Sequence, residues 1–240
     1  MLIISSYTTV EDSVFIDFYQ TIKLKLPHDL LKKIEGYKFP IDQQRSLIGQ
    51  LIVRQFYAPL LHKRWTEILF EENEHEKPLL KGIDRHYFNI SHSGNQVVVA
   101  FSQENIGVDV EKAKGDRRKI AERFFTAEEI EDLSKAGTPE KQKACFYQLW
   151  TLKESYMKAI GDGMSMSLSR FAFKKAGNEF KLAYSAYDAD WRFLTPRWAD
   201  DYFLSVCTKS SELPQYRKLT LSDIKTEFSL KKNTNQISRL

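Results

Sequence analysis

The chain has 240 residues, of which 42% are hydrophobic, and it contains 16 phenylalanines and 11 tyrosines. This much apolar and aromatic surface excludes a disordered chain and predicts a globular protein with one large core or two smaller cores. The formal net charge of +4 comes from 36 basic and 32 acidic residues, so no large basic excess indicates nucleic acid as a partner. A secretory leader and a membrane-length apolar run are both missing from the sequence, so we expect a cytoplasmic protein without membrane contacts.

The first half predicts one long helix followed by strands. Residues 40–65 carry apolar side chains at helical spacing, with Asp42 as the expected N-cap and Pro59 as the expected stop. Residues 87–112 alternate as three short strands, with turns at 93–95 and 103–105. Consecutive short strands of this kind predict an antiparallel meander.

The second half repeats this order. Thr126 and Glu129 have the spacing of a capping box, and Thr138 with Pro139 opens a second long helix that Gly161 ends. Strand-like segments follow it. We expect Cys145 and Cys207 to be reduced thiols, although a disulfide between them stays possible. The sequence therefore predicts an α+β fold with a border near residue 103.

The stretch IGVDVEK places Asp109 and Glu111 two positions apart on a predicted strand. Residues i and i+2 share one face, about 6 to 7 Å apart at the backbone, so the two carboxylates would repel each other. A hard divalent cation such as Mg²⁺ would relieve this repulsion. The alternative is a solvated strand face with two solubilising acids, and the strand alone leaves both readings open.

The second long helix supplies a third acid. Trp150, Glu154 and Lys158 are spaced i, i+4, i+8 and form one stripe, with Lys153 beside it. If the helix packs on the strands, Glu154 can join the acids of the strand, and Lys158 can meet a phosphate. The alternative is an exposed Glu–Lys pair without function.

Four ordered blocks, FNISHSG, IGVDVEK, FFTAEE and FYQLWTLKESYMKAIGDG, resemble the 4'-phosphopantetheinyl transferases of the two-lobed, surfactin-synthetase-activating type. The resemblance implies two pseudo-symmetric lobes, each a long helix on a small antiparallel sheet: residues 1–103 on the nucleotide side, 104–210 with the catalytic residues, and a tail at 211–240. It also implies a monomer that transfers the phosphopantetheine arm of coenzyme A to a carrier protein of fatty-acid, polyketide or nonribosomal peptide synthesis.

The resemblance also assigns roles to residues. Asp109, Glu111 and Glu154 would bind Mg²⁺ at the coenzyme A diphosphate, and Lys158, helped by Lys153, would stabilise the leaving oxygen. Glu154 or a metal-bound water would act as the base. The coenzyme A contacts implied on the nucleotide side are Lys33, Arg45, Ser46, Lys77, Ser91 and His92. Glu76 stands where the family has a glycine before Lys77, and this puts the geometry of that loop in question.

The segment KAKGDRRKIAERFF is rich in positive charge and is either a solvated helix face or a docking surface for acidic carrier proteins. Two other functions stay open. A magnesium-dependent nuclease or phosphodiesterase also uses clustered acids, but Ala113 stands where such enzymes have a lysine. A non-catalytic protein that binds coenzyme A or carriers is the second, and the intact set of three acids and Lys158 argues against it.

Overall fold

The computed structural model describes residues 1–115, 117–163, 166–177, 179–187, 190–199 and 201–229, so the last part of the expected tail, 230–240, lies outside the described residues. The helices are α1 Asp12–Ile22, α2 His28–Glu35, α3 Pro40–Leu60, α4 Arg118–Phe124, α5 Ala127–Lys135, α6 Pro139–Ile160 and α7 Leu221–Ser229. The strands are β1 Leu2–Thr8, β2 Phe70–Glu72, β3 Pro78–Leu80, β4 Tyr87–Ser93, β5 Gln96–Ser102, β6 Ile106–Lys112, β7 Phe171–Ala176, β8 Glu179–Ser185, β9 Arg192–Leu194, β10 Tyr202–Thr208 and β11 Gln215–Leu219.

The predicted α+β class is confirmed, and among the described residues the small sheets are antiparallel apart from the pair β1-β11. One sheet has the order β11-β1-β5-β4, with β11 parallel to β1, and a second has the order β6-β10-β9. The pairs β2-β3 and β7-β8 form separate hairpins. The strands expected at residues 87–112 are all present, but β6 leaves the predicted meander and pairs with β10 instead of β5.

Three hydrophobic clusters hold these layers together. One lies between α1, α3 and the first sheet, and another surrounds α6 on the second sheet. The third lies between the two sheets, where Val108 and Val110 of β6 meet Leu2 and Ile4 of β1. The apolar face of β6 therefore faces the other sheet, which leaves its opposite face to α6.

Both long helices form as predicted, but both ends of α3 need correction. Pro59, the expected stop, lies inside the helix, which ends at Leu60. Helix α6 has Thr138 as its N-cap, and Gly161 adopts a left-handed conformation at its C-cap. In α3, Pro40 takes the first helical position and Phe39 is the N-cap, so Asp42 lies in the first turn. Proline suits that position because its missing N–H would have no helical partner there.

The C-terminal segment returns to the first half of the chain. Strand β11 pairs with β1, and α7 packs its apolar side chains Leu221, Ile224 and Phe228 into the cluster around α3. Residues 215–229 thus lie against the N-terminal sheet. The division into 1–103, 104–210 and 211–240 stays a prediction.

Candidate active site

Strand β6 presents one glycine and two acids to helix α6. Gly107, Asp109 and Glu111 alternate along the strand and therefore share a face. A Cβ atom on Gly107 would lie 2.0 Å from the Ser155 carbonyl oxygen of α6, so glycine lets the helix cross directly over the strand. This close crossing sets Glu154 and Lys158, on either side of Ser155 in the chain, beside the two acids.

Lys158 is the counter-charge of these acids. Its Nζ atom lies 2.6 Å from Asp109 Oδ1 and donates to Ser91 Oγ at 3.2 Å. Burial opposes the charge on Lys158, but the carboxylates of Asp109, Glu154 and Glu111 outweigh it and raise the pKa above its ordinary value. Lys158 is therefore a fixed positive charge in the group.

The carboxylates disfavour each other's charge. Burial raises the pKa of Glu154 to about 7, and the charges of Asp109 and Glu111 act in the same direction. Burial also raises the pKa of Glu111, against a hydrogen bond from Ser93 that lowers it. The positive charge of Lys158 acts to lower both pKa values, but it does not offset the effect of burial.

These side chains line a cleft of about 440 Å³ between the two halves of the chain. The cleft contains both β6 acids and the Trp150, Glu154, Lys158 stripe, so the sequence-based expectation that they come together is met in the geometry. Its full lining is Lys33, Tyr37, Ser46, Gln50, Pro78, Ile90, Ser91, His92, Asp109, Glu111, Trp150, Glu154 and Lys158.

The N-terminal half contributes cationic and polar groups to the same cleft. Lys33, Ser46, Ser91 and His92 line it, as the sequence indicates. Loss of solvation around the ring, and then the positive charges of Arg45 and Lys158, lower the pKa of His92. Arg45 pairs with Asp42 and donates to the Gly94 carbonyl oxygen at 3.0 Å, and it is not among the residues that line the cleft.

Lys77 does not point into the cleft. Its Nζ atom donates to the carbonyl oxygens of Ala159, at 3.0 Å, and Ile106, at 3.4 Å, at the end of α6 and the start of β6. Its neighbour Pro78 lines the cleft instead. Glu76 itself adopts the left-handed conformation, with φ of 63°, so the loop keeps a glycine-like backbone at a cost of about 1 kcal/mol.

Lys153 also lies away from the cleft. It is fully buried, with its Nζ atom 2.8 Å from Glu129 Oε2, and it donates to the carbonyl oxygens of Leu168 and Phe171. Lys153 stands on the buried stripe of α6, next to the one that carries Glu154, so its ammonium is directed into the core. The structure therefore gives it a structural environment instead of a coenzyme A contact.

Several lining residues have no assignment from the sequence: Tyr37, Gln50, Pro78 and Ile90. Gln50 lies four residues after Ser46 on α3, so helical spacing could have placed it on the same face. Ile90 and Pro78 adjoin assigned residues, but only the fold decides which of two neighbours faces the cleft.

Two family models match consecutive parts of the chain. Residues 16–104 match the model "4'-phosphopantetheinyl transferase, N-terminal" and residues 105–207 match "4'-phosphopantetheinyl transferase superfamily". The two matched segments meet just before β6, and both contribute lining residues to the cleft.

Curated relatives agree with the family models. The 4'-phosphopantetheinyl transferase psf-1 of Bacillus pumilus is 34% identical over 73% of this chain and 75% of that protein. The transferase gsp of Aneurinibacillus migulanus is 43% identical over 72% of this chain and 71% of that protein. The chain belongs to the 4'-phosphopantetheinyl transferase family. Sfp of Bacillus subtilis strain 168 is 38% identical to the transferase over 55% of this chain and 59% of its own length, and the expected Sfp type is confirmed.

The acids of the transferase provide the carboxylate oxygens that Mg²⁺ prefers as ligands, but their side chains are not grouped around one point. Among the described residues, no three His, Cys, Asp or Glu side chains form a metal-ready group, and Lys158 lies against Asp109. Asp109 is 4% exposed, and its Oδ2 atom is buried without a hydrogen-bond partner. An orphaned carboxylate oxygen beside two further hard oxygen donors with raised pKa values fits a divalent cation.

Cys145 and Cys207 are both thiols outside any disulfide, as expected. In the part of the chain that the structure describes, none of the helices is long and apolar enough to cross a bilayer.

Proposed function

We propose that the transferase moves the 4'-phosphopantetheine arm of coenzyme A to a serine of an acyl or peptidyl carrier protein, with Mg²⁺, and releases adenosine 3',5'-bisphosphate. One observation carries this proposal. Asp109 and Glu111 of β6 converge with Glu154 and Lys158 of α6 in a cleft that Lys33 and His92 also line. A cleft that combines acids with cationic and imidazole groups suits a polyphosphate held through a cation.

On the nucleotide side, Lys33, Ser46 and His92 would bind the phosphates of coenzyme A. A phosphate beside His92 would favour its charged form and oppose the lowering of its pKa by burial and by the charges of Arg45 and Lys158. Arg45 would add its positive charge to this side of the cleft if its ion pair with Asp42 breaks. Pro78, Ile90 and Tyr37 add apolar surface to the same region.

Asp109, Glu111 and Glu154 would hold the cation. When bound, Mg²⁺ would neutralise negative charge on the diphosphate and orient the β-phosphate for in-line attack. Lys158 would then contact the diphosphate, because its partner Asp109 would have a new counter-charge.

The chemical step forms a bond between the serine Oγ atom and the β-phosphorus and breaks the bond between that phosphorus and the bridging oxygen. The serine proton passes to a carboxylate oxygen of Glu154 or to a water molecule in the cleft. Burial raises the pKa of Glu154 to about 7, but a cation held by Glu154 would lower this pKa and weaken the carboxylate as a base. The bridging oxygen leaves with adenosine 3',5'-bisphosphate, and the Lys158 ammonium stabilises its charge.

The carrier protein would approach over the basic segment before and within α4. Arg117 and Arg118 are exposed there, next to a surface cavity that also includes Lys143, Phe146 and Tyr147. Acidic carrier surfaces would be attracted to this side, which mainly speeds encounter and sets orientation.

Intact mass spectrometry of apo carrier proteins tests the proposed function. With coenzyme A and MgCl₂, the transferase should add the mass of one phosphopantetheine arm to the carrier serine. Asp109→Ala and Glu154→Ala should each slow this reaction about a hundredfold, because each removes a preorganised charge at the reacting phosphates. Glu131→Ala, which removes an exposed acid of α5, is the matched control and should react at the wild-type rate.

Two results would contradict the proposal. One is the absence of a mass gain on acyl and peptidyl carriers alike while the transferase is folded. The other is a wild-type rate for both active-site variants.

A further inference from the structure

A row of polar side chains on β4 joins the two sheets of the transferase. Asn89, Ser91 and Ser93 stand two residues apart, so they lie on one face of the strand. Their side-chain oxygens accept hydrogen bonds from the backbone N–H groups of Val108 at 2.8 Å, Val110 at 3.1 Å and Lys112 at 3.1 Å on β6.

The pairing has a constant register. Each acceptor lies 19 residues before its donor, so β4 and β6 run in the same direction along this seam. Side-chain oxygens here do what backbone carbonyl oxygens do in an ordinary ladder. The seam therefore fixes how far β6 can slide along β4, and β6 carries the acids of the cleft.

The two serines also hold the acids directly. Ser91 Oγ donates to Asp109 Oδ1 at 2.9 Å, and Ser93 Oγ donates to Glu111 Oε2 at 2.7 Å. Each hydroxyl thus accepts from the N–H group that follows an acid and donates to that acid. Because each serine oxygen accepts one hydrogen bond and its O–H group donates another, the direction of the hydroxyl proton is fixed. The carboxylate that accepts this proton therefore has one preferred rotamer.

We infer that Ser93 is a positioning residue that orients Glu111 toward a divalent cation. It is one of the three polar residues of β4 that align both acids of β6. This inference rests on the metal assignment of the proposed function. Ser93 is a cleaner test of it than Ser91, because Ser91 lines the cleft and also accepts from Lys158. The hydrogen bonds of the Ser93 hydroxyl run to Glu111 and to the Lys112 N–H group.

Loss of the hydroxyl should act on the cation more than on the nucleotide. Without Ser93 Oγ, Glu111 can rotate among several positions, and the Lys112 N–H group loses its acceptor. Partners that orient a metal ligand typically account for about 10- to 100-fold in metal affinity. The hydrogen bonds of the Ser93 hydroxyl run to Glu111 and Lys112 and not to Lys33 or His92 on the nucleotide side.

The test is calorimetric titration of Mg²⁺ into the complex of the full chain with coenzyme A. Ser93→Ala should weaken Mg²⁺ binding by about tenfold or more. Ser93→Thr, which keeps the hydroxyl, should bind Mg²⁺ within a few-fold of wild type. Ser6→Ala, at a buried serine of β1 in the same sheet, is the control for a purely structural loss and should bind Mg²⁺ as wild type does.

Coenzyme A affinity without Mg²⁺ should be the same in all four proteins. Equal Mg²⁺ affinity of wild type and Ser93→Ala, with Glu111→Ala impaired, would overturn the inference and leave the proposed function intact. No Mg²⁺ binding by the wild-type complex would overturn the metal assignment itself, and the inference with it. If Ser93→Ala does not fold, Ser93→Cys answers the same question, since its thiol keeps the shape but donates weakly.

Discussion

At the scale of single residues, three buried or partly buried lysines in and around the cleft have different partners. Lys158 neutralises Asp109 in the cleft, whereas Lys153, five residues earlier, neutralises Glu129 in the core. Lys77 has no acid within ion-pair distance among the described residues and is held by backbone carbonyl oxygens. Each ammonium group is therefore held by a different part of the fold.

Lys77 should make stability depend on pH. Burial lowers its pKa from 10.5 to about 8, so between these values the unfolded chain binds more protons than the folded chain. The free energy of unfolding should therefore rise as the pH increases from about 8 to about 10.5. Below about pH 8, Lys77 is charged in both the folded and the unfolded chain, so the folded chain bears the full cost of burying the charge.

Lys77→Met removes this titration. Urea unfolding at about pH 7 and about pH 10 gives the unfolding free energy of both proteins. From the lower to the higher pH, this free energy should increase more for wild type than for Lys77→Met. Lys81→Met, at an exposed lysine just after β3, is the matched control and should show a constant difference. A constant difference for Lys77→Met as well would mean that Lys77 is not buried in its charged form.

At the scale of elements, the position of α6 depends on contacts at both of its faces. On the β6 side, Gly107 allows the close crossing that brings Glu154 to the acids. On the other side, Lys153 joins α6 to α5 and β7, because Glu129 also accepts hydrogen bonds from the Thr126 and Phe173 N–H groups. The helix is thus fixed between a strand and a buried polar network.

Lys153→Met should destabilise the transferase without a direct effect on coenzyme A. Both partners of the Lys153–Glu129 pair are 0% exposed, and a buried charge left without its partner costs about 3 to 5 kcal/mol. Chemical denaturation should show a loss of this size. Lys135→Met, which removes an exposed pair with Glu131, should cost less than about 1 kcal/mol. A raised KM for coenzyme A with unchanged stability would instead restore Lys153 as a coenzyme A ligand.

At the scale of the whole molecule, the modest net charge of +4 hides a local positive region around α4. Arg117→Glu with Arg118→Glu should raise the KM for an acidic carrier protein by about tenfold at low salt and leave the KM for coenzyme A unchanged. Arg217→Glu with Lys218→Glu makes the same change of charge on the exposed strand β11, away from α4, and should leave both constants unchanged. Equal effects of the two double variants would show that only net charge matters and would refute the docking surface.

Local signals in the sequence predicted α6 and the strands of the site well. Thr138 and Gly161 mark the ends of α6 through capping chemistry that depends on a few neighbouring residues. The alternation in IGVDVEK likewise predicts the acid-bearing face of β6, because side-chain direction in a strand has a fixed period.

Long-range choices were not predictable in the same way. Strand β6 pairs with β10 across about ninety residues, a tertiary pairing that no local pattern encodes. Strand β1 was missed because most of its side chains are buried on both faces, which removes the alternation typical of a half-buried strand. The directions of Lys77 and Lys153 depend on which carbonyl and carboxylate groups the fold brings near them.

The central claim is that Asp109, Glu111 and Glu154 bind one divalent cation together with the diphosphate of coenzyme A. Anomalous scattering from a crystal of the transferase with coenzyme A and Mn²⁺, as a substitute for Mg²⁺, tests it directly. The claim predicts one peak within about 2.5 Å of an oxygen of each carboxylate and of the diphosphate. A diphosphate bound in the cleft with the peak elsewhere, or with the three carboxylates directed away from it, would contradict it.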